Sequence, residues 1–494
     1  MEVSLFFEFI QIAVGNRKSL SGGVTDADWL RLFEFCKKQA LIGVGFSAVE
    51  KLHAMGVVCP AALRMQWMAL ALQIEKRNGL LNNQCSQLAR KYEHDGLETC
   101  ILKGQGNCLN YPEELRNRRQ CGDIDVWATP INVRQQEQLE TTICPQADDG
   151  GERELPGIIR ELKEICPQAD GGIAIAVQTG KEEVEYVEYH GRKAVMEYVR
   201  MQHRIDGYFE KPIVRYHHIA APKIDGTEVE VHFRPCYAHS PLRNWRMQRW
   251  FNDHADVCMK NKTHMGFAVP TASVNVVYQM CHLFSHYFDE GLGLRQLMDY
   301  YFALRVWHND VMECKDLQSQ GMWSEGLGTA MMSKEEVMAV LRSFGMGKFA
   351  GAVMWVVKEV FSMPKRQLMN DDRLLITDGV HTENTEGYRG SQADGGGERK
   401  LKQINRELKE NNFGPWMICE PNEKEGRKLL EEIMKGGNFG QYDTRDAALK
   451  NGGMIKHGVW KLKRVMRLVR SYPEEALWEP VFRVWHLGWR KVNG

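Results

Sequence analysis

The sequence predicts an α+β fold in which a small mixed β-sheet is flanked by helical N- and C-terminal regions. Three observations lead to this prediction. Apolar residues recur at helical spacing from about residue 4 to 95 and again from about 242 to the end. Two short β-type runs lie at about 97–103 and 121–129. Two further alternating runs, between 212 and 235, surround Asp225-Gly226, a dipeptide typical of a hairpin turn.

The composition is that of an ordinary soluble globular protein and sets few limits on function. At 494 residues, with 43% hydrophobic and 26% charged residues, the chain is long enough for two or three domains. Lys plus Arg and Asp plus Glu balance at 64 each, so no global charge indicates a nucleic-acid partner. Such a partner would need a local basic patch. The oligomeric state is not indicated.

The cysteines and the apolar runs predict where the protein works. The 13 cysteines include no CxxC pair and no metal-finger spacing, which is typical of reduced thiols in a cytoplasmic protein. The apolar N-terminus carries Glu2 and Glu8 and lacks a basic leading segment, so it predicts a core helix rather than a signal peptide. No apolar stretch approaches the ~18 residues of a bilayer span, so no membrane-spanning segment is predicted.

Changes in periodicity divide the chain into five predicted parts. They are a helical N-terminal region (1–95), a sheet-bearing core (96–240), a helical domain (241–374), a polar Gly-rich linker (375–424) and a helical C-terminal region (425–494). An insertion is predicted at 143–172, because QADDGGERELPGIIRELKE (146–164) recurs as QADGGGERKLKQINRELKE (392–410). Copies so far apart cannot stack as a solenoid, so both are predicted to be solvated insertions whose role stays open.

Two C-terminal patterns have alternative interpretations. The run KGGNFG (435–440) follows a helix and lacks a Gly-Lys-Ser/Thr ending, so it predicts a helix C-terminal turn rather than a phosphate loop. The helix near 459–470 is basic except for an apolar side, and we expect that side to dock on the protein. Its residues are Val459, Leu462, Val465, Met466 and Val469. Contact with a membrane surface or nucleic acid is the alternative.

The run CGDIDVWAT places two aspartates one residue apart between apolar residues. Alternation in a strand would put Asp123 and Asp125 side by side, where their charges repel unless a cation lies between them. Two carboxylates supply the hard oxygen ligands that Mg²⁺ (or Mn²⁺) prefers. A third carboxylate is then expected from a neighbouring strand. Glu230 on the strand TEVEVHF is the best candidate and Glu228 the second, with His232 on the same face.

A glycine turn precedes this pair and predicts a phosphate site. Lys103-Gly104 ends the first β-type run, and Gly106 extends the turn, so backbone amides and a lysine charge can approach a phosphate. Gly122 stands directly before the aspartates. Further positive charge is expected from one or more nearby arginines, which are Arg116, Arg118 and Arg119.

These motifs resemble poorly characterised bacterial nucleotidyltransferases of the DNA-polymerase-β-like superfamily. The resemblance rests on Lys-Gly, a helix with Tyr-Pro, an Arg, Gly-Asp-Ile-Asp and a later carboxylate-x-His strand, and it covers most of the chain outside the two repeats. It implies that Asp123 and Asp125 are the metal-binding pair, Glu230 the third carboxylate and Gly104 the phosphate-side glycine. It implies an enzyme that moves a nucleoside monophosphate from an NTP, such as ATP, to an unidentified acceptor with release of pyrophosphate.

The segment HLFSHYFDEGLGLRQLMDYY resembles the helical region that follows the core in that family. Its polar positions His282, His286, Arg295 and Asp299 are candidate cleft residues on this basis. The first two could also bind zinc, but no glutamate follows His282 as in a HExxH site. The simplest interpretation of Arg295 and Asp299 is an ion pair within one helix.

The sequence departs from the superfamily pattern in ways that support an alternative function. Gln105 follows Gly104 where serine or glycine is usual, and Asp123 comes nineteen positions after Gly104. A catalytically degenerate member of the same fold, which binds nucleotide or a partner protein, is therefore the second hypothesis. A helical scaffold whose sheet has no function is the third. The acceptor and the preferred base are not identified.

Overall fold

The computed structural model describes residues 3–131, 165–168, 172–178, 184–207, 211–319, 331–361 and 416–493. Within these ranges the chain contains a small mixed sheet and many helices, which confirms the predicted α+β class. None of the helices in these ranges is both long enough and apolar enough to cross a membrane.

Helices precede the first strand, as the spacing before residue 95 predicts. They are α1 (Val3–Ala13), α2 (Asp26–Lys38), α3 (Ile42–Ala54) and α4 (Ala61–His94). The predicted capping signal at the start of α2 is a complete capping box, in which Thr25 and Asp28 satisfy each other's backbone amides. Two short helices, α5 (Gln105–Cys108) and α6 (Glu113–Arg116), follow the first strand.

The described strands form two sheets. The strands are β1 (Leu97–Ile101), β2 (Ile124–Pro130), β3 (Ile165–Gln168), β4 (Gly172–Gln178), β5 (Val184–His190), β6 (His218–Ile224) and β7 (Thr227–His232). The larger sheet has the order β1-β2-β7-β6, and the smaller antiparallel sheet has the order β3-β4-β5. In the larger sheet β2 is antiparallel to β1 but parallel to β7, which makes the sheet mixed.

The predicted hairpin around Asp225-Gly226 is confirmed. Strands β6 and β7 pair antiparallel on either side of it. Asp225 and Gly226 have φ angles of 47° and 80°, as the two central residues of a tight hairpin turn require. Because side chains alternate along β7, Val229 and Val231 pack in the core while Glu230 and His232 point to the opposite face.

Part of the predicted insertion is regular structure. Strand β3 lies within 143–172, and β4 begins at its last residue. Both repeat copies, 146–164 and 392–410, lie outside the described residues, as does the predicted linker before residue 416. The chain returns from the small sheet through α7 (Gly191–Ile205), whose Val195 and Val199 pack beneath the larger sheet.

The C-terminal half is helical, as the spacing predicts. Its helices are α8 (Pro241–Asp253), α9 (Ala255–Met259), α10 (Ala272–Asp289), α11 (Leu294–Ser319), α12 (Lys334–Ser343), α13 (Gly347–Phe361), α14 (Glu423–Gly436), α15 (Ala447–Lys450), α16 (Met454–Leu468) and α17 (Pro473–Asn493). The run KGGNFG is a helix C-terminal turn, since α14 ends at Gly436 and Gly437 has a φ of +64°.

The prediction that α16 docks by its apolar side is confirmed only in part. Val465 of that side is 2% exposed and packs in the core. Leu462, by contrast, is 50% exposed, whereas Arg464 is only 5% exposed. Arg464 donates hydrogen bonds to the carbonyl oxygens of Tyr287 and Phe288 at the end of α10. The carbonyl end of a helix attracts cations, so this contact decides which side of α16 is buried.

Candidate active site

The predicted third carboxylate lies opposite one of the two aspartates. Strands β2 and β7 pair in parallel, with Asp125 in register with Glu230. Asp125 is fully buried, whereas Glu230 is 33% exposed. Asp123 comes immediately before β2 and is half-buried at the mouth of the site. The sheet therefore brings together two carboxylates that are far apart in the sequence, and the third stands at the strand entrance.

Lys103 contacts Asp125 directly. Its Nζ lies 3.0 Å from Oδ1 of Asp125, and its side chain is 18% exposed. Burial lowers the pKa of Lys103, but the charges of Asp125, Asp123 and Glu230 outweigh it and raise that pKa overall. Lys103 is therefore a charged partner of the carboxylates in this structure.

Three histidines surround the same carboxylates. Nε2 of His232 lies 3.2 Å from Oδ1 of Asp125 and 3.7 Å from Oε2 of Glu230. Nδ1 of His218 lies 3.4 Å from Oε2 of Glu230 and 3.0 Å from Nε2 of His217. Sequence reasoning named only His232. The sequence RYHH at the start of the hairpin could have indicated the other two. The first arm of a hairpin pairs with the second, and His218 pairs with His232.

The charge states follow from these contacts. Burial raises the pKa of Asp125, but Lys103 and the His232 hydrogen bond lower it below its usual value. Burial also raises the pKa of Glu230, but His232 and His218 outweigh this effect and lower that pKa to about 2. The pKa of His232 is about 8, because its bonds to Asp125 and Glu230 outweigh burial. For His218, burial and the nearby His232 lower the pKa to about 4. Both carboxylates are thus ionised at neutral pH.

The glycine turn lies against the aspartates. Gly104 has a φ of +62° and caps α5, and a Cβ at this position would lie 3.2 Å from the carbonyl oxygen of Asp123. A Cβ on Gly106 would lie 2.6 Å from the carbonyl oxygen of Ile101. Gly122 is exposed and has open space around its Cβ position. Glycine is therefore required by geometry at 104 and 106 but not at 122.

Gln105 is directed away from the phosphate turn. Its side-chain amide donates to the carbonyl oxygen of Asn78, at 3.1 Å, and to Oδ1 of Asn82, at 2.5 Å. Both acceptors belong to α4. The residue at the usual serine position is thus a buried tether between the turn and α4, with its amide hydrogens already bonded.

The predicted roles of the arginines need correction. Arg119 is 3% exposed, and its Nε and Nη2 each donate to the carboxylate of Asp299 at 2.6 Å, so its guanidinium is held by protein. Because Arg119 bonds to both carboxylate oxygens of Asp299, the predicted ion pair between Arg295 and Asp299 is wrong. Arg295 instead donates to the carbonyl oxygen of Gln120. Helical spacing could not reveal that a buried arginine from another segment takes Asp299.

The remaining arginines lie elsewhere. Arg118 pairs with Glu50 and Glu75 of the N-terminal helices. Arg116 is half-buried, with a 3.5 Å contact to the carbonyl oxygen of Leu109. The alternative third carboxylate, Glu228, is 71% exposed and pairs with Lys223 across the hairpin. We therefore leave Glu228 out of the candidate site.

A polar cavity of about 500 Å³ opens over the carboxylates. Lys103, Asp123, Glu230 and His232 line one side. The helical side contributes predicted and unpredicted residues, which include His282, His286, Phe439, Lys461 and Arg483. Exposed Arg215 lines it as well. Its size is that of a typical small-molecule site.

The candidate cleft histidines belong to this cavity rather than to a zinc site. His282 and His286 lie on α10 with their rings 4.3 Å apart, edge to face. Burial lowers the pKa of His282 well below its usual value and that of His286 to about 4. Arg295 and Asp299 line a smaller neighbouring cavity of about 30 Å³, together with Gly104 and Gly122.

The donor atoms around Asp125 fit a divalent cation. Asp125, Glu230 and His232 each offer a ligand atom, and these atoms lie within 4.8 Å of one another. The buried Oδ2 of Asp125 has no hydrogen-bond partner in the described structure. Carboxylates suit Mg²⁺ and Mn²⁺, and imidazole suits transition metals. Asp123 is outside this compact group but lines the same cavity.

The site thus consists of two ionised carboxylates on a mixed sheet, beside a lysine-glycine turn and a cavity. A model of the family described as uncharacterised nucleotidyltransferase matches residues 25–140 and 184–321, just over half of the chain. The chain belongs to this family. The unmatched stretch between the two segments contains the predicted insertion at 143–172. Searches among curated proteins and among solved structures found no match.

Proposed function

We propose that the protein is a Mg²⁺-dependent (or Mn²⁺-dependent) nucleotidyltransferase that moves a nucleoside monophosphate from an NTP to an acceptor. The observation that carries the proposal is the parallel register of Asp125 with Glu230, beside half-buried Lys103 and under a polar cavity. Membership of the family supports nucleotidyl transfer in general.

The residues that would hold the cation are Asp125 and Glu230, with His232 as a nitrogen ligand and Asp123 at the cavity mouth. A bound divalent cation would polarise the phosphates and stabilise charge on the transferred group. The low pKa of Glu230 keeps it ionised and available as a ligand. Lys103 would move its charge from Asp125 towards phosphate oxygens as the site fills.

The remaining side chains would bind and orient the substrates. Amides of the turn after Gly104 would bind phosphate oxygens, apart from that of Gly106, which donates to the carbonyl oxygen of Lys103. Exposed Arg215 lines the cavity and would add positive charge. An acceptor oxygen attacks the α-phosphorus, the bond to the β-phosphate oxygen breaks, and pyrophosphate leaves. Glu230, which is 33% exposed, would take up the acceptor's proton.

Pyrophosphate release from each NTP, with Mg²⁺ or Mn²⁺, tests the proposal. Glu230→Gln is the informative variant because Glu230 is partly exposed and its loss leaves Asp125 paired with Lys103. Glu228→Gln is the matched control, two residues away on the same strand. We expect at least a hundredfold loss of turnover in the first and near wild-type turnover in the second.

The alternative, a degenerate nucleotide-binding protein, is favoured by one observation. Gln105 replaces the usual phosphate donor and is bonded to α4 instead. Metal-dependent NTP binding without pyrophosphate release, across a panel of hydroxyl and phosphate acceptors, would establish this alternative. Equal turnover in the Glu230 and Glu228 variants would show that Glu230 has no part in catalysis and would contradict the proposed site.

A further inference from the structure

Two cysteines lie in contact beside the phosphate turn. The sulphur atoms of Cys108 and Cys121 are 3.3 Å apart, and both residues are free thiols. Cys108 is the last residue of α5, which begins at the Gly104 turn. Cys121 directly precedes Gly122 and Asp123. The pair thus joins the two backbone segments that border the candidate site.

The two thiols have unequal surroundings. Nη1 of Arg119 lies 2.8 Å from the sulphur of Cys121. Cys108 is 4% exposed and contacts Oε1 of Gln105 at 3.7 Å. Cys121 is half-buried and therefore the more accessible of the two. This asymmetry suits an attacking thiol at Cys121 and a resolving thiol at Cys108.

Cys121 is also open to small molecules from outside the catalytic cavity. It is half-buried and lines a separate cavity of about 440 Å³. Lys37, Arg77 and Tyr442 line the same cavity. We infer that a peroxide approaches Cys121 through this cavity rather than through the catalytic cavity.

We propose that Cys108 and Cys121 form a reversible disulfide site oxidised by hydrogen peroxide. The Cys121 sulphur attacks one oxygen of the peroxide and the O–O bond breaks; the thiol proton goes to the departing oxygen, which gives a sulphenic acid and water. The Cys108 thiol then attacks the Cys121 sulphur, the S–S bond forms, and a second water leaves. Two thiols are oxidised and one peroxide is reduced to two waters.

Closure of this bond tethers the phosphate turn to the segment that carries Asp123. The sulphur atoms must approach by about 1.3 Å to reach the usual disulfide length of about 2.0 Å. Gly104 already lies close to the Asp123 carbonyl, so this shift acts where the turn and the Asp123 backbone are near each other. The effect on nucleotide binding rests on the proposed function, whereas the disulfide and the tether do not.

Peptide mapping by mass spectrometry tests the disulfide. The full-length reduced protein is treated with hydrogen peroxide, its remaining thiols are alkylated, and it is digested. Cys419 is the internal control, because it is likewise half-buried and lines a cavity of about 530 Å³. We expect a Cys108–Cys121 disulfide to form at least ten times faster than Cys419 is oxidised, and dithiothreitol to reverse it.

Single variants separate the two thiols. In Cys108→Ser, Cys121 should accumulate as a sulphenic acid that dimedone traps. In Cys121→Ser, Cys108 should react no faster than Cys419. Oxidation of Cys121 at the rate of Cys419, or an absence of the intramolecular disulfide in folded wild-type protein, would overturn the proposal.

Hydrogen exchange tests the tether without any nucleotide. Amides of residues 104–123 should exchange at least threefold more slowly after oxidation, with recovery after reduction and no change in Cys108→Ser. Unchanged exchange would refute the tether. If the proposed function holds, the NTP-dependent thermal shift of wild-type protein should fall by at least half on oxidation. Absence of any NTP shift in the reduced protein would count against the proposed function alone.

Discussion

At the scale of single residues, the site depends on buried side chains that stay ionised because they contact groups of opposite charge. Asp125 is fully buried, and its stabilising neighbours are Lys103 and His232. A buried charge that loses its partner is costly, whereas an exposed pair contributes little. Lys103 therefore stabilises the sheet as well as serving as a proposed phosphate ligand.

Replacing Lys103 tests this dual role. Lys103→Met removes the cation beside Asp125, and we expect the free energy of unfolding to fall by about 3–5 kcal/mol. Lys223→Met is the control, because Lys223 pairs with Glu228 at the surface. Urea denaturation measures both. Equal losses in the two variants would contradict the assigned role of Lys103.

Gly104→Ala tests the phosphate turn. The new Cβ would meet the Asp123 carbonyl at 3.2 Å with a φ of +62°, so we expect a loss of about 1–3 kcal/mol in stability. Gly122→Ala is the control, because a Cβ there has open space. Thermal denaturation compares the two. A turn that tolerates alanine at 104 as well as at 122 would show that its backbone is less constrained than the structure indicates.

At the scale of secondary-structure elements, the hairpin β6–β7 and the helices α10, α16 and α17 enclose the cavity. The hairpin brings Glu230 and His232 to β2 and carries His218 beside them. Helix α16 contributes Lys461, whose Nζ lies 3.6 Å from the Asp289 carboxylate, and α17 contributes Arg483 at 3.2 Å from the same group. Burial raises the pKa of Asp289, but Lys461, His239 and Arg483 bring it to about 2.

The docking of α17 should depend on pH. Nδ1 of His239 lies 2.9 Å from Oε1 of Glu475, and both residues are buried. Burial lowers the pKa of His239, but Glu475 raises it overall, so this stabilisation is present below about 6.5 and is lost as pH rises through the raised value. The pKa of Glu475 is lowered by His239 despite burial, so its stabilisation is present above about 4.5 and is lost as pH falls through the lowered value.

The difference in unfolding free energy between wild type and Glu475→Gln should therefore be largest between about pH 4.5 and 6.5. Chemical denaturation from pH 4 to 9 measures it. Glu474→Gln is a neighbouring control, because Glu474 is 44% exposed. A difference that does not vary with pH would show that Glu475 acts by packing alone.

At the scale of the whole molecule, the balanced charge of the chain conceals a local concentration of charged side chains of both signs. Asp123 and Glu230 line the cavity on the sheet side, and the helical side adds Asp289 with its partners Lys461 and Arg483. Net charge therefore says little about this protein's ligands. The matched segments of the family supply the sheet and α10, and the cations Lys461 and Arg483 come from residues beyond them.

Metal binding should stabilise the whole fold. A ligand that binds only the folded state adds ~2.7 kcal/mol at a hundredfold excess over its Kd. We expect Mg²⁺ or Mn²⁺ to raise the melting temperature of protein freed of metal by chelation, with a smaller rise in Glu230→Gln and an unchanged rise in Glu228→Gln. Calorimetry measures this. The same rise in both variants would place the cation elsewhere.

The sequence by itself determined the local features of this protein. Alternation in β7 put Glu230 and His232 on one face and Val229 and Val231 on the other. The Asp225-Gly226 dipeptide fixed the position of the hairpin turn. The capping box at Thr25 began α2 as predicted. These features depend on neighbours within a few residues, and short-range sterics and hydrogen bonds decide them. Alternation puts Glu228 on the same face as Glu230, and only the pairing of β7 with β2 decided that Glu230 lies opposite Asp125.

Only the tertiary structure decided which distant groups meet. Arg119 pairs with Asp299, Gln105 bonds to α4, and α16 buries Arg464 while Leu462 of its apolar side stays exposed. His217, His218, Lys461 and Arg483 reach the cavity for the same reason. Buried polar groups must find partners wherever packing places them, and spacing along one segment carries no information about a partner from another. For this reason the cavity is lined by segments that are far apart in the sequence, and only their packing shows that they meet.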